Sequence, residues 1–271
     1  GLDEADKLIF EIAPDFTQTR LYSDMGAMVI KYVIERITGH EYYEFVKKHI
    51  LSPCNMQDTT IEILPKDLGR TVSNNYERRI QNNKYIVLDN IKKGIISDGK
   101  ARRLNQFQLQ LHGHAGMFST VDDMSKLSQA LLQGKIVNPK WLEQIGINRT
   151  GRQFHGYLCY SKNPVEQNSE VNHFLSGNAF ALGGYTGNQL TIDATNQVFL
   201  FMASNRCHNR VTSVTGDDAC VKDGFVEWND GKKYLYNKEY AYIRDAEVVE
   251  PAIELALQYR FLEWLIDDES M

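Results

Sequence analysis

A helix with both ends marked is the feature that most constrains this chain. Ser23 or Asp24 can cap its start, because a side-chain oxygen there accepts one of the backbone N–H groups that a helix start leaves unpaired. Gly39 supplies the left-handed residue that commonly ends a helix. Apolar residues recur between them at helical spacing and predict a buried face: Met25, Met28, Val29, Tyr32, Val33 and Ile37. Charged residues fall off that face: Lys31, Glu35 and Arg36. The pattern predicts a helix over residues 25–38, with Tyr22 on the loop just ahead of it.

Further helices and strands follow in separate blocks. Helices are predicted over residues 41–50, from the capping sequence 119–123 to Gly134, and from Asn138–Pro139 to Gly146. Strand patterns are found at 85–88, 94–97, 156–160, 180–182, 189–192 and 198–203, and turn patterns at 193–196 and 228–231. A closing amphipathic helix over 250–266 has these candidates for burial: Ile253, Leu255, Leu257, Phe261, Leu262 and Leu265. This order predicts an α+β chain, with a helical part, then antiparallel strands, then a helix that packs on the sheet.

Composition excludes several classes of partner. The chain has 271 residues, of which 42% are hydrophobic, and a net charge of −5 without a sustained basic run. Nucleic acids and anionic membranes are therefore not expected partners, and no apolar run is long enough for a membrane span. The four cysteines show no metal-ligand spacing, so we expect free thiols, no metal and no cofactor, with a Cys207–Cys220 bridge as the alternative.

Several blocks of sequence resemble one protein family in the same order. They are Tyr22-Ser23-Asp24 before the helix, Thr38-Gly39 after it, Pro53 to Met56, the Gly94–Asp98 block, the Gly113–Met124 block, and residues 180–193. Together they resemble the serine β-lactamase and penicillin-binding-protein-like family, which includes class C β-lactamases, DD-peptidases and related esterases. The resemblance covers about residues 20–206.

The resemblance implies an architecture and a setting. The family has an α/β part built from both chain ends, an all-helical part from the middle, and an active site between them. We therefore expect one partial domain over residues 1–271, with a mainly helical lobe at 21–150. Residues 151–271 would hold antiparallel strands, an insertion at 207–247 and the closing helix. The resemblance also implies a cell-envelope or extracytoplasmic location, and a peptidoglycan peptide, a β-lactam or a small ester as substrate.

Tyr22 matches the tyrosine of the family's second motif. In the family a serine is acylated, and this tyrosine shares the role of base with a lysine. A phenol has a pKa near 10, so it needs neighbouring cations to act as a base near neutral pH. The resemblance thus implies a catalytic Tyr22, with Ser23 and Asp24 as binding residues. Asp24 stands where the family usually has Asn; it still accepts a hydrogen bond from a lysine but lacks the amide donor. From the residues alone, Tyr22 also fits a half-buried aromatic side chain that packs on the first helical turn.

The third motif departs further from the family. Its Lys or His position falls on Leu182, which cannot titrate or bind a carboxylate. Gly183, Gly184 and Tyr185 can still bring backbone close to a ligand, and the Tyr185 N–H is a candidate oxyanion donor. The alternative is a glycine-rich strand edge that packs against another backbone.

The family's Ser-x-x-Lys nucleophile motif is not found ahead of Tyr22. The chain contains one such pattern, Ser97-Asp98-Gly99-Lys100, which we interpret as a coincidence because Asp98-Gly99 is a turn signal rather than a helix signal. His114 is a further possible site residue, although a histidine that holds a tight turn is the commoner case.

Three hypotheses account for the missing motif. The first is that the chain is the C-terminal portion of a serine hydrolase whose nucleophile lies upstream, so that the missing N-terminal segment is itself a partner. The second is a degenerate, non-catalytic binding or regulatory module. The third is one half of a split enzyme that a second polypeptide completes.

Overall fold

The computed structural model describes most of the chain in two compact units. The described residues are 2–13, 22–73, 76–82, 84–165, 170–208, 210–215, 220–236 and 248–258. The helical unit comprises Gly1–Val72 and Lys92–Ala130, and the sheet unit comprises Ser73–Ile91 and Leu131–Met271. Helices and antiparallel strands together confirm the predicted α+β class. The lobe bounds that the resemblance implies, 21–150 and 151–271, remain a prediction.

The described residues of the helical unit form a series of helices and helical turns. In chain order these are α1 (Leu2–Glu11), α2 (Asp24–Thr38), α3 (Tyr42–Val46), a π-helical turn (Lys47–Leu51), a 3-10 helix (Pro65–Arg70), α4 (Gly99–Leu104) and α5 (Val121–Leu132). The predicted strand at 94–97 is wrong, because these residues form turns and bends.

Helix α2 has the predicted ends but a different buried face. The Ser23 hydroxyl accepts a hydrogen bond from the Met25 N–H at 3.2 Å, and Gly39 ends the helix with φ +69°. Met28 is buried, but Val33 and Ile37 are 48% and 78% exposed, so the apolar stripe is not the buried face. Lys31, predicted to lie off that face, is buried instead, and its ammonium group is 3.2 Å from the Glu35 carboxylate. The ion pair permits this burial, since a buried charge needs a partner.

The loop that begins at Gly113 lies directly against α2. Gly113 has φ +84°, and a Cβ there would be 2.5 Å from the Ala27 carbonyl oxygen. Real Cβ atoms do not approach backbone oxygens so closely, so only glycine fits at this position. The loop therefore rests on the helical turn that begins at Asp24.

The sheet unit contains two sheets. Antiparallel strands β3 (Tyr160–Ser161), β4 (Phe180–Gly183), β5 (Gln189–Asp193) and β6 (Val198–Met202) form the first sheet, in that order. The second sheet contains parallel and antiparallel pairs of six strands: β1 (Tyr76–Gln81), β2 (Lys84–Asn90), β7 (Arg210–Thr215), β8 (Cys220–Lys222), β9 (Phe225–Glu227) and β10 (Lys233–Tyr236). Their order in the sheet is β2-β1-β7-β10-β9-β8. Helix α6 (Pro139–Ile145) and a 3-10 helix (Gly151–Gln153) also belong to this unit.

Most strand predictions in this unit are confirmed. Strands β2, β4, β5 and β6 cover predicted stretches, and the predicted turn at 228–231 joins β9 to β10. The predicted strand at 156–160 is wrong, because pairing begins only at Tyr160. Leu158 has φ +54°, a left-handed backbone conformation that interrupts an extended strand.

The closing helix packs against the first sheet as far as it is described. Residues 250–258 are helical, and Ile253 is buried in a cluster with five further residues: Val171, Leu175, Ala179, Ala181 and Val249. Leu257 packs partly against this cluster, whereas Leu255 is 53% exposed, so its predicted burial is wrong. Residues 259–266 of the predicted helix, with Phe261, Leu262 and Leu265, lie outside the described residues.

Cys54, Cys159 and Cys207 are buried and remain thiols, as predicted, and the bridge from Cys207 does not form. Within the described residues, no helix has both the length and the apolar character that a membrane crossing requires.

The buried carboxylate of Asp193 gives a test of this fold. It accepts hydrogen bonds from the N–H and hydroxyl of Ser176 and from the backbone and side-chain amides of Asn196, at 2.6–3.0 Å. Burial raises the pKa of Asp193, but these bonds outweigh it and leave the pKa below its usual value. Because the folded pKa is the lower one, the contribution to stability is present above about pH 4 and is lost as the pH falls through the folded pKa.

We expect Asp193→Asn to lower the free energy of unfolding by about 2–3 kcal/mol at pH 7, because hydrogen bonds to a charged acceptor are lost. Urea denaturation at pH 7 and pH 3 measures this, with Glu143→Gln, at an exposed position, as the control. The difference from the unmodified chain should shrink at pH 3. An equal difference at both pH values would contradict the role assigned to this carboxylate.

Candidate active site

Tyr22 projects from the start of α2 into solvent. It is 70% exposed and immediately precedes Ser23, whose hydroxyl caps the helix. A half-buried aromatic packed on the first turn would be largely covered, so that alternative does not describe Tyr22. The phenol is therefore accessible to a ligand, and the helix cap fixes the backbone beside it.

Lys100 lies beside Asp24 in the same unit. Its ammonium nitrogen is 2.7 Å from Asp24 Oδ2 and 3.7 Å from Asp98 Oδ2. The hydrogen bond to Asp24 is the largest cause of a raised Lys100 pKa, and charge interaction with Tyr22 acts in the same direction. Lys100 is thus held as a cation within electrostatic range of the Tyr22 phenol.

The helix that carries Lys100 corrects one sequence interpretation. Asp98 caps α4 by accepting the N–H groups of Lys100 and Ala101 at 2.9 and 2.8 Å, so Asp98-Gly99 starts a helix rather than a turn. Ser97 precedes this cap and does not share a helical face with Lys100. Ser97 and Lys100 therefore lack the shared helical face of a nucleophile motif, and Lys100 lies against Asp24 instead.

His114 joins the same cluster from the Gly113 loop. Its side chain is 3% exposed, with Nε2 3.1 Å from Asp98 Oδ1 and Nδ1 3.3 Å from the His112 carbonyl oxygen. Burial raises the pKa of Asp98, but the Ala101 N–H, His114 and Lys100 together lower it below its usual value. Asp98 is thus a carboxylate that connects the histidine to the lysine.

His112, which immediately precedes the Gly113 loop, is a buried neutral base. Burial, together with the positive charge of Lys31, lowers the pKa of His112 to about 4. Its Nε2 lies 2.6 Å from Asn105 Oδ1, which can only accept, so Nε2 carries the hydrogen. His112 therefore has a structural role under the loop.

Three ligand atoms in this cluster are close enough to hold a metal ion. One atom each from Asp24, Asp98 and His114 lie within 4.8 Å of one another. The Lys100 ammonium group already lies against both carboxylates. The Lys100 ammonium group thus balances the negative charge of Asp24 and Asp98. We therefore interpret the cluster as the support that holds Lys100 beside Tyr22.

The predicted third-motif residues lie at the end of β4 in the sheet unit. Leu182 is 41% exposed and pairs with Leu190, while Gly183 pairs with Gln189. A Cβ at Gly183 or Gly184 would meet only ordinary contacts, at 3.5 Å or more, so neither glycine is required by close backbone packing. The alternative of a glycine edge packed against backbone is therefore not needed to explain them.

Tyr185 follows on the turn between β4 and β5 and is 54% exposed. Arg206 Nε donates to the Tyr185 carbonyl oxygen at 2.6 Å, and the Arg206 N–H donates to the Thr186 carbonyl oxygen at 3.0 Å. The Arg210 guanidinium lies 4.9 Å from the centre of the Tyr185 ring. Arg206 and Arg210, which follow β6 in the chain, thereby fix the turn that contains Tyr185.

Sequence reasoning missed Lys100, Asp98, Arg206 and Arg210. The Ser-x-x-Lys pattern drew attention to Lys100, but its contact with Asp24 joins residues 76 positions apart and has no local signal. The two arginines stand in a stretch predicted only as part of an insertion or its border. The residues that were predicted, Tyr22, Ser23, Asp24 and His114, lie in the helical unit, and Gly183, Gly184 and Tyr185 lie in the sheet unit.

Comparisons with known proteins agree with the blocks found in the sequence. A protein-family model described as Beta-lactamase matches residues 4–219. The "Putative D-alanyl-D-alanine carboxypeptidase" of Escherichia coli (strain K12) is 24% identical over 208 residues, which cover 70% of this chain and 46% of that protein. The protein of the same name from Salmonella enteritidis PT4 is 25% identical, with 71% and 46% coverage. The chain thus spans about half the length of these relatives.

A solved structure supports the fold. EstA from Arthrobacter nitroguajacolicus Rue61a is similar with a TM-score of 0.51 at 14% identity, over 73% of this chain and 58% of that one. At this identity the likeness concerns the fold alone.

The Asp98–His114 contact gives a test of the cluster. We expect His114→Ala to raise the pKa of Asp98, because the carboxylate loses a hydrogen-bond donor that favours its charged form. Carboxyl ¹³C NMR titration measures this, with His40→Ala as the control, since His40 is exposed and belongs to the same unit. An Asp98 that titrates at the same pH in the unmodified chain and in the His114 variant would show that the two side chains are not coupled.

Proposed function

The chain belongs to the β-lactamase family, and we propose that it forms part of a serine hydrolase that works through an acyl-enzyme. The nucleophilic serine and its lysine would come from sequence outside these 271 residues. The substrate would be a peptidoglycan peptide, a β-lactam or a small ester.

The observation that carries this proposal is the cation beside Tyr22. A base that takes a proton from a serine must be accessible and must be stabilised when it is charged. Tyr22 is exposed, and Lys100 lies within electrostatic range of it while paired with Asp24. This places a fixed cation beside the hydroxyl to which the family resemblance gives the role of base.

The rest of the cluster fixes that cation in place. Asp24 belongs to the first turn of α2, and Asp98 caps α4 while it accepts from His114. Lys100 therefore has two carboxylate partners on two different helices. This arrangement restricts a long and flexible side chain to one position near Tyr22, as a preorganised site requires.

The substrate class and the location rest on the relatives. Two curated relatives carry the name D-alanyl-D-alanine carboxypeptidase in putative form, which supports a peptide with a D-alanyl terminus as substrate. Such peptides belong to the bacterial cell wall, so we propose a cell-envelope location. No nucleic acid is proposed as a partner.

A second candidate function is a non-catalytic binding or regulatory module. The specific observation in its favour is Leu182 at the cation position of the third motif, where it is 41% exposed and offers no charge to a ligand. On this view the site would hold a cell-wall peptide without cleaving it.

Covalent labelling distinguishes the two functions. The 271-residue chain and a version extended upstream to its natural start are treated with a fluorescent penicillin and a fluorophosphonate, and intact mass is recorded. The hydrolase proposal expects an adduct on the extended version alone, at an upstream serine. Without an adduct on either version, the binding module would be the better account.

Tyr22→Phe in the extended version tests the base directly. We expect acylation to slow by about 10²–10⁴-fold, the usual contribution of a general base. The matched control is Tyr157→Phe, because Tyr157 is also exposed, at 57%, and is not part of the cluster. Equal acylation rates for the Tyr22 variant and the control would remove Tyr22 from the mechanism.

A further inference from the structure

The side chains of Asp24, Asp98 and His114 converge on one point of the helical unit. One ligand atom from each lies within 4.8 Å of the other two, although the residues come from the first turn of α2, the cap of α4 and the Gly113 loop. Carboxylate oxygens and imidazole nitrogens are common zinc ligands, and ligand atoms around one zinc ion lie about 3–4 Å apart. A small adjustment of these side chains is therefore enough to hold an ion.

The histidine of this group is oriented as a metal ligand would be. Its side chain is 3% exposed, and its Nδ1 lies 3.3 Å from the His112 carbonyl oxygen. A carbonyl oxygen can only accept, so Nδ1 carries a hydrogen, and Nε2 points toward Asp98 Oδ1 at 3.1 Å. Histidines that bind metals usually donate one ring N–H to a carbonyl or a carboxylate, while the other nitrogen faces the ion. His114 has this arrangement.

A cation of the chain already lies between the two carboxylates. The Lys100 ammonium nitrogen is 2.7 Å from Asp24 Oδ2 and 3.7 Å from Asp98 Oδ2. The Lys100 side chain is 58% exposed, so its ammonium group can move into solvent and stay hydrated. Lys31 differs, because its side chain is 6% exposed and is enclosed with Glu35. The cation beside Asp24 is therefore one that can be exchanged.

A divalent ion matches this group more completely than the lysine does. The two aspartates carry two negative charges, of which one ammonium group balances one. An ammonium group has only N–H donors, so it cannot use the imidazole nitrogen as a ligand, whereas a zinc ion can. The expectation that the chain binds no metal was based on the spacing of its cysteines, and this group contains none.

We propose that Asp24, Asp98 and His114 form a binding site for a Zn²⁺ ion, and that Lys100 and the ion are alternative occupants of this site. When the ion binds, the ammonium group moves into solvent with its charge, and any hydrogen on Nε2 is released as a proton. Three protein ligands leave the fourth tetrahedral position to a water molecule. The zinc concentration thus sets the fraction of the protein in which Lys100 stays beside Tyr22. The site does not depend on the proposed function.

Zinc binding is measured by isothermal titration calorimetry on the full 271-residue chain, with Mg²⁺ and Ca²⁺ as comparison ions. We expect Mg²⁺ and Ca²⁺ to bind at least about tenfold more weakly, because they prefer oxygen ligands and gain little from an imidazole. In ¹⁵N spectra, the ring signals of His114 should shift with one equivalent of Zn²⁺. Those of His40, which is exposed in the same unit, should not.

Two variants remove ligands of the proposed ion. Asp24→Asn and His114→Ala should each weaken zinc binding by about tenfold or more, since the loss of a residue that merely supports a ligand already costs about 10–100-fold. Asp24→Asn preserves the shape of the side chain and leaves the Ser23 cap in place. If His114→Ala does not fold, as judged by circular dichroism, the Asp24 variant still decides the question.

Lys100→Met tests the competition between the lysine and the ion. It should bind zinc about two- to fivefold more tightly, because both carboxylates are freed from an exposed ion pair of modest strength. Arg70→Met is the matched control, since the Arg70 side chain is 55% exposed and also lies against two aspartates, Asp58 and Asp67, in the same unit. This control should bind zinc as the unmodified chain does.

Four results would overturn the proposal: no zinc binding, equal binding of Mg²⁺ or Ca²⁺, unchanged zinc binding in the folded ligand variants, or a Lys100 variant that binds no more tightly than the control. The third result would mean an adventitious ion only. None of these measurements needs a nucleophile, so this proposal and the hydrolase proposal fail separately. Absence of acylation would leave the zinc site in place, and absence of zinc binding would leave Tyr22-dependent acylation untouched.

Discussion

The approach of Gly113 to the Ala27 carbonyl oxygen is the constraint on which the helical part of the site depends. At 2.5 Å from a Cβ, that oxygen excludes every side chain at position 113, and the φ of +84° independently favours glycine. Because the loop can lie flat on α2, His114 reaches Asp98. Asp98 in turn caps the helix that carries Lys100, and Lys100 pairs with Asp24 at the start of α2. A backbone contact of a single glycine thus closes a chain of interactions around Tyr22.

The two units deal with positive charge in opposite ways. In the helical unit Lys100 and Lys31 each have a carboxylate partner, so their charges are already compensated. In the sheet unit Arg210 is buried against an aromatic ring and a thiol, and no carboxylate of the described residues pairs with it. A compensated cation is held in a fixed position by its carboxylate partner, whereas an uncompensated buried cation is unfavourable. The first suits the proton-transfer role proposed for Tyr22.

Local patterns predicted the parts of the fold that local interactions determine. The cap at Ser23 and the stop at Gly39 follow from a side-chain hydrogen bond and from backbone freedom, and strands β4 to β6 follow from short stretches that contain apolar residues, with turns between them. The second sheet was not predicted as a sheet, because it pairs residues 76–81 with residues 210–215, which are far apart in the sequence. Burial of Lys31 likewise depends on Glu35 and on the Gly113 loop, so its polarity alone pointed to the wrong face. For the site, the resemblance supplied Tyr22, Asp24 and the Gly183–Tyr185 stretch, but only tertiary contacts disclosed Lys100 and Arg210.

A double-mutant cycle between Asp24 and Lys100 tests the central claim most directly. Acylation rates of the upstream-extended protein with a fluorescent penicillin are compared for Asp24→Ala, Lys100→Met and the double variant. If the pair acts as one unit that holds the cation beside Tyr22, each single change should slow acylation, and the double variant should be no slower than the slower single one. Such a cycle corresponds to a coupling of about 0.5–3 kcal/mol. Additive losses, or single variants that react as fast as the unmodified protein, would contradict the role assigned to this ion pair.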